Sequence, residues 1–313
     1  MSIIFGPIPS RRLGRSLGVN NIPPKVCSYS CVYCQVGATD SMTIKRKEFF
    51  SPDEIYNEVS EKISQIEKAG EKIDYITFVP DGEPTLDINL GNIIERLKSL
   101  GIKIAVITNS SLIWEKEVRN DLMKADWVSV KIDSVYENIW RKINKPHGLL
   151  ELQKIITGIK EFASSFKGLL VTETMLVKGI NDNKESLTET AQIISEIKPH
   201  KSYILVPTRP PTENSVEAPS EEIMNMAYQI YSSLINNVEL IASNEGTDFS
   251  YSSDAVKELT SILAVHPMRK DAVETFLSKS NSTWDLINNL INQNVLRVVE
   301  YSGNTYIIKN IRR

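Results

Sequence analysis

An α/β fold is predicted for this chain of 313 residues: a partial (β/α)6 TIM-like barrel followed by a small C-terminal winged-helix domain. Three observations predict it. Apolar runs rich in β-branched residues alternate with amphipathic segments, as parallel strands joined by crossover helices do. Polar and glycine residues collect just after those runs, where barrel folds place their chemistry. Past about residue 250 the alternation gives way to three short helical segments and two apolar runs around Ser302-Gly303.

The strands are expected at about 17–22, 74–79 (DYITFV), 103–108 (KIAVIT), 127–132 (WVSVKI), 169–176 (LLVTETML) and 201–206 (KSYILV). Their nearly continuous apolarity suits a parallel sheet buried on both faces. The first long helix is marked at both ends: Ser51 is its N-cap, Pro52 opens the first turn, Glu54 stands three residues after the cap, and Gly70 lies past the last turn. Further helices are expected at about 88–99, ending at Gly101, and at about 148–166, 182–197 and 219–235. The strand ends carry DGEPT, TNSS, Lys131 with Asp133, Lys178 with Gly179, and VPTRPPTENS. In the C-terminal part, helices at about 254–265, 269–279 and 282–293 precede VLRVVEY and NTYIIKN, which form a hairpin around the Ser-Gly turn. Three short helices and a hairpin describe a winged helix, in which the third helix usually carries recognition. The expected domains are therefore 1–250 and 251–313.

Composition removes several classes. With 41% hydrophobic and 24% charged residues the chain reads as globular rather than disordered. The apolar patch of MSIIFGPIPSRRLGRS is too short for a secretory signal, and no apolar run approaches the roughly 18 residues of a spanning helix, so a cytoplasmic protein without a membrane partner is expected. The formal charge is -3, yet residues 1–47 hold Arg11, Arg12, Arg15, Lys25, Lys45, Arg46 and Lys47 against Asp40 alone. Such a segment suits an anionic partner; it equally suits a loop whose arginines tie it to carboxylates and helix C-termini. The segment 254–313 is nearly balanced even with Arg312 and Arg313 counted, and its presumed recognition helix, STWDLINNLINQN, has no lysine or arginine. That is a weak footprint for duplex DNA.

All three cysteines, Cys27, Cys31 and Cys34, lie in VCSYSCVYC. A reducing compartment and an odd count argue against disulfides. A structural zinc site wants four protein ligands, and His147, His200 and His266 stand apart from the cysteines and from one another. A C-x-x-C redox pair leaves Cys27 unexplained. An iron–sulfur cluster fits better, because thiolates favour it and a four-iron cluster has four ligand positions; three cysteines leave one iron open to an exogenous ligand.

Cys27-x-x-x-Cys31-x-x-Cys34 on a loop after the first strand resembles the defining motif of the radical S-adenosylmethionine (SAM) superfamily, and Tyr33 before the last cysteine and the DGEPT strand end strengthen the likeness. The resemblance spans about residues 15–240. It implies an enzyme whose three cysteines hold a [4Fe-4S] cluster, with the open iron chelating the amino and carboxylate groups of SAM. Reductive cleavage then yields methionine and a 5′-deoxyadenosyl radical that abstracts hydrogen from the substrate. Gly82-Glu83-Pro84-Thr85 resembles the strand end that accepts from the ammonium of SAM, a group with three donors and no acceptor. Gly82 would permit close backbone approach there, and Pro84 would remove a competing donor. Asn109 and Ser110 resemble the polar residues that contact carboxylate and ribose. Lys131 and Asp133 share one face of a strand; the resemblance makes them ribose or carboxylate contacts, and a structural ion pair at the barrel mouth is the other reading. Thr172 or Glu173, and Ile180 in VKGIND, are placed on the adenine side.

The opening GPIPSRRLGRSLGVNNIPPKVCSYSCVYCQVG, with GEPTL, LVKGIND and VPTRPP, is similar to stand-alone radical enzymes related to the wyosine-forming tRNA-modifying enzymes. Those use a second cluster on further cysteines, of which this chain has none, and this speaks against the same reaction. Two substrates follow from the resemblance: an RNA held by the basic segment and the winged helix, or a peptide or protein captured by the winged helix. An electron donor such as flavodoxin or ferredoxin is implied in both. A third reading is a non-enzymatic redox sensor on a DNA-binding module. Arg209, in PTRPP, either meets a phosphate or carboxylate at the barrel rim or is a surface arginine on a stiff connection.

Overall fold

The computed structural model describes residues 3–243, 246–251 and 254–310; Arg312 and Arg313, counted in the charge balance above, lie outside them. An antiparallel pair opens the chain, β1 (Ile4–Ser10) and β2 (Gly14–Val19). From β2 the sheet continues in chain order, every neighbour parallel, through β3 (Tyr75–Phe78), β4 (Lys103–Thr108), β5 (Trp127–Lys131), β6 (Leu169–Met175), β7 (Lys201–Leu205) and β8 (Val238–Ile241). The six expected strands are β2 to β7. The first runs from Gly14 to Val19 rather than over about 17–22: its start pairs with β1 through Ser10 and Gly14, and it ends early because Asn21 turns its amide onto the Pro84 carbonyl (3.0 Å) and the Asp87 carboxylate (3.2 Å). Strands β1 and β8 were not expected. Gly6, Pro7 and Pro9 speak against a strand, yet β1 is an edge, where a missing N–H is tolerated. The run VELI of β8 is short and mostly half-buried.

Helices cross between the strands: α1 (Pro52–Lys68), α2 (Leu90–Lys98), α3 (Lys116–Leu122), α4 (Glu137–Asn144), α5 (Leu152–Ser165), α6 (Lys184–Ile197) and α7 (Glu221–Leu234). Ser51 caps α1 as its sequence signals, accepting from the Glu54 N–H at 3.1 Å. The apolar stripe Ile55, Val59, Ile63 and Ile66 belongs to one core with Ile76, Phe78, Ile104, Val106, Val128 and Val130 of the sheet. Each fully buried Ile or Phe there is worth about 1.5–3 kcal/mol. The alternate strand residues face the barrel interior, where Ala105, Trp127, Val171, Tyr203 and Leu205 cluster with Leu13 and Ile241. Helices α3 and α4 are one or two turns long, too short for their periodicity to announce them.

Past residue 250, α8 (Ala255–Val265), α9 (Lys270–Lys279) and α10 (Trp284–Asn292) pack on a three-stranded antiparallel sheet of Met268–Arg269, Asn304–Lys309 and Leu296–Tyr301. Ser302 and Gly303 both take positive φ, the two-residue hairpin turn that the sequence suggests. Phe249, Leu259, Ile262, Phe276, Ile287 and Ile307 belong to a core of their own. This C-terminal unit sits against the barrel: Ile8 of β1 packs on its core, Lys62 of α1 pairs with Glu258 at 2.9 Å, and the Gln35 amide donates to the Val265 carbonyl at 3.1 Å. Among the described residues no helix is long and apolar enough to cross a membrane.

Candidate active site at the barrel mouth

The cysteine loop is strapped to the C-terminal ends of β3 and β4. Val26 and Cys27 pair with Ser41 and Met42 on one side, and Val26 bridges to Gly82 on the other. The Glu83 N–H donates to the Val26 carbonyl at 3.2 Å. Two asparagines aim amides at the thiols: Asn109 at Cys27 Sγ (3.5 Å) and Asn144, the last residue of α4, at Cys31 Sγ (3.4 Å). Burial pushes the Cys31 thiol up to about 12 and raises Cys27 and Cys34 as well. Buried thiolates need a positive partner, which the irons of a cluster supply. Among the described residues no three of His, Cys, Asp or Glu converge on a single-ion site. The donor set of three soft thiols on one loop thus fits a multi-iron cube better than one zinc.

Glu83 is the hub behind that loop. One carboxylate oxygen accepts from the Thr85 N–H (3.0 Å) and from the hydroxyls of Thr85 and Thr108 (2.6 Å each); the other accepts from the Asn109 N–H at 2.7 Å. Burial still raises its pKa against these four bonds. Glu83 and Asn109 line the cavity, whereas Pro84, Thr85 and Ser110 stand behind it. Thr85 serves Glu83, the Pro84 carbonyl takes the Asn21 amide, and the Ser110 hydroxyl accepts from the Lys131 N–H at 2.8 Å. The close approach that Gly82 permits is to the Val26 carbonyl.

Lys131 and Asp133 do not line the cavity together. Strand β5 ends at Lys131, so the alternation that puts both on one face does not carry to residue 133. Lys131 faces the cavity, 3.7 Å from Glu173 and over the Tyr33 ring. Burial works against its ammonium, but Asp133, Glu173 and Cys31 together outweigh it and raise its pKa. Asp133 lies behind, accepting from the Tyr33 hydroxyl, the Asn144 amide (2.7 Å) and the Met175 N–H (2.8 Å). The ion pair at the mouth is instead Arg12 with Glu173, and Ser129 also donates to that carboxylate at 2.6 Å. Thr172 points away and donates to Ser202. Ile180 packs with Val32, Tyr33 and Val216 beneath the cysteine loop.

The three thiols, Tyr33, Glu83, Asn109, Lys131 and Glu173 thus border one cavity of about 280 Å³ at the C-terminal ends of the strands. Arg209 also borders it. Half-buried and donating to the Gln35 side chain, it is not the surface arginine of a plain connection. Gln35 follows Cys34 directly and reaches Val265, so the C-terminal unit forms part of the cavity wall. Much of the basic N-terminal segment is consumed inside the fold: Arg12 pairs with Glu173, Arg15 with Glu71, Lys25 with Asp81 and Arg46 with Asp121. Sequence patterns single out neither Gln35, Asn144 nor Val265; Arg12 shows there only as part of the basic run.

The model of the radical SAM superfamily matches residues 21–191, more than half of the chain. The chain belongs to the radical SAM superfamily. A UPF0026 protein of Methanocaldococcus jannaschii is 47% identical over all of this chain and 97% of its own length. A probable dual-specificity RNA methyltransferase RlmN of Shouchella clausii is 22% identical, covering 62% of this chain and 56% of that one. Among solved structures, a radical SAM methyltransferase from Sphaerobacter thermophilus shares the fold at a TM-score of 0.54 and 15% identity, covering 72% of this chain and 66% of that one. As a radical SAM protein the chain is an enzyme that acts with a [4Fe-4S] cluster and SAM, and the non-enzymatic sensor reading falls.

Proposed function

We propose that Cys27, Cys31 and Cys34 hold the cluster, and that the enzyme abstracts hydrogen from a peptide or protein captured by a winged-helix domain, residues 251–313. The gathering of the thiols, Glu83, Asn109 and Lys131 around one cavity carries this reading. Bound there, the cluster and SAM supply a 5′-deoxyadenosyl radical. The chain's own residues set where it acts. Asn109 and Asn144 present N–H donors to the thiolate sulfurs, which steadies their charge. Glu83 has acceptor capacity left on the oxygen that takes only the Asn109 N–H, and offers it to the ammonium of SAM. Lys131 offers a cation to its carboxylate. Val265 and the neighbouring chain limit access of water.

A peptide is favoured over RNA because so much of the basic segment is neutralised within the fold and α10 has no lysine or arginine. RNA modification is the second reading, supported by the wyosine-like motifs and by the similarity to an RNA methyltransferase. The test uses anaerobically reconstituted, reduced enzyme with SAM and a cell extract, and quantifies 5′-deoxyadenosine after treating the extract with ribonuclease or with protease. Stimulation abolished by protease alone supports the peptide reading; abolition by ribonuclease alone moves the assignment to RNA. Replacing any one of the three cysteines by Ala should remove 5′-deoxyadenosine even without substrate. Its survival in a variant would remove that cysteine from the cluster.

A further inference from the structure

We infer that the side-chain amides of Asn109 and Asn144 set the reduction potential of the cluster, raising it by donating to the sulfurs of Cys27 and Cys31, an assignment that rests on the cysteine reading above. The Asn109 amide nitrogen is 3.5 Å from Cys27 Sγ, and that of Asn144 is 3.4 Å from Cys31 Sγ. Neighbours that can play only one role fix which end of each amide faces its sulfur. The Asn109 oxygen accepts from the Ser111 N–H at 2.9 Å, so the nitrogen is turned to Cys27 and to the Ser28 hydroxyl (3.0 Å). The Asn144 nitrogen meets the Asp133 carboxylate, which only accepts, at 2.7 Å. Its second hydrogen is left for Cys31 Sγ and the Tyr33 oxygen (3.2 Å).

The backbone holds both amides in place. Asn109 follows β4 directly, and its N–H is tied to Glu83 at 2.7 Å. Asn144 is buried at the end of α4, where its carbonyl accepts from the Ser30 N–H at 3.1 Å and the Ile143 carbonyl accepts from the Val32 N–H at 3.0 Å. The helix end therefore grips the cysteine loop on either side of Cys31. Backbone N–H groups also face two of the sulfurs, Tyr29 at Cys27 (3.5 Å) and Val36 at Cys34. Those belong to the loop itself; the two asparagines reach it from elsewhere in the chain. An electron added to the cluster spreads negative charge onto its sulfur ligands. A donor at the sulfur then stabilises the reduced form more than the oxidised one, and burial strengthens the effect.

Two measurements on the anaerobic, reconstituted protein without SAM test this. The first poises the cluster with titanium(III) citrate, a one-electron reductant, and reads the reduced fraction by electron paramagnetic resonance. In Asn109→Leu and Asn144→Leu, each at full iron content, the ratio of reduced to oxidised cluster at a fixed potential should fall about tenfold, equivalent to about 59 mV for one electron. Ile143→Val loosens the same helix end without removing a donor, and its ratio should match that of the native protein. The second measurement needs no substitution. Asparagine labelled with nitrogen-15 in the side chain should produce a nitrogen coupling in the spin-echo spectrum of the reduced native cluster. Absence of that coupling overturns the inference. So does an unmoved or raised potential in both iron-replete leucine variants, or an equal fall in Ile143→Val. An intact cluster signal in Cys27→Ala or Cys31→Ala would refute the cysteine reading on which the inference rests; an intact native cluster that meets none of the expectations above refutes the inference alone.

Discussion

Gly82 faces the carbonyl of Val26 so closely that a Cβ on the glycine would sit 2.1 Å from that oxygen. Its φ of +154° is also one that L side chains rarely adopt. The two features bind the end of β3 to the residue just before Cys27. Gly82→Ala must therefore lift Val26 and carry Cys27 with it. The expected outcome is a loss of about 3 kcal/mol of stability together with a lower iron content after reconstitution. Denaturant midpoints and an iron assay check it; full iron and an unmoved midpoint would show that the strap does not position the loop.

Glu83 tolerates no amide in its place. Its two oxygens accept from the backbone N–H groups of Thr85 and Asn109, one each, and neither N–H can turn away. Whichever way a replacing carboxamide is turned, its NH2 confronts one of those donors. Glu83→Gln should cost about 1–3 kcal/mol, the penalty of a buried donor left unmatched. A thermal melt at neutral pH equal to that of the native enzyme would refute the hub assignment.

Asp87 adds a pH signature. Burial pushes its carboxyl from 3.8 up to about 6, against the Asn89 N–H, the Asn21 amide and Arg46. The folded form therefore binds this proton more readily than the unfolded chain does. Its contribution is complete below about pH 4 and is lost as the pH rises through about 6. Relative to Asp87→Asn, the native protein should gain stability as the pH falls from 7 to 4, by at most about 3 kcal/mol. Denaturant midpoints for both proteins across that range decide the matter, and a constant difference would contradict the assignment.

These residues also show where sequence reading reaches its limit. The strands β2 to β7 and the cap of α1 are legible because burial on both faces demands apolar runs and a helix start demands an acceptor such as Ser51. The three cysteines stand out because soft ligands at short spacing have few other uses. Arg12 and Glu173, by contrast, are 161 residues apart, and no local pattern joins them. Asn144 ends a helix too short to announce itself. Asp133 lies behind the cavity because the alternation of β5 ends with the strand at Lys131, two residues short of it. Local periodicity specifies elements; the polar network at their ends is set by how the elements meet.

Glu173 should titrate with the opposite sign to Asp87. Burial alone would raise its pKa, but Arg12 and Lys131 outweigh that and hold it below the ordinary carboxylate value. Its contribution is therefore present at neutral pH and lost as the pH falls through the depressed value. Glu173→Gln keeps the shape and strands two cations near the cavity, and a loss of about 3 kcal/mol is expected at pH 7. The deficit relative to the native protein should shrink in acid. A deficit that is absent at pH 7, or that grows as the pH falls, would overturn the ion-pair account.

Tyr306 links the C-terminal unit to the loop that carries Arg209. Its hydroxyl donates to the Thr208 carbonyl at 2.6 Å, and Tyr301 reaches the Pro207 carbonyl at 3.4 Å. Tyr306 is buried, so Tyr306→Phe preserves the ring's packing and removes the donor to Thr208. Withdrawing a hydrogen bond from a carbonyl in that setting costs about 1–2 kcal/mol, equivalent to a roughly five- to thirty-fold rise in local opening. Because the bond holds the loop rather than the sheet, the amides of Thr208 and Arg209 should exchange faster by that factor, while those of β7 keep their protection. Hydrogen-exchange mass spectrometry separates the two segments. Equal acceleration across β7 would mean that the variant loosens the barrel as a whole, and no acceleration would mean that the C-terminal unit does not hold the Arg209 loop.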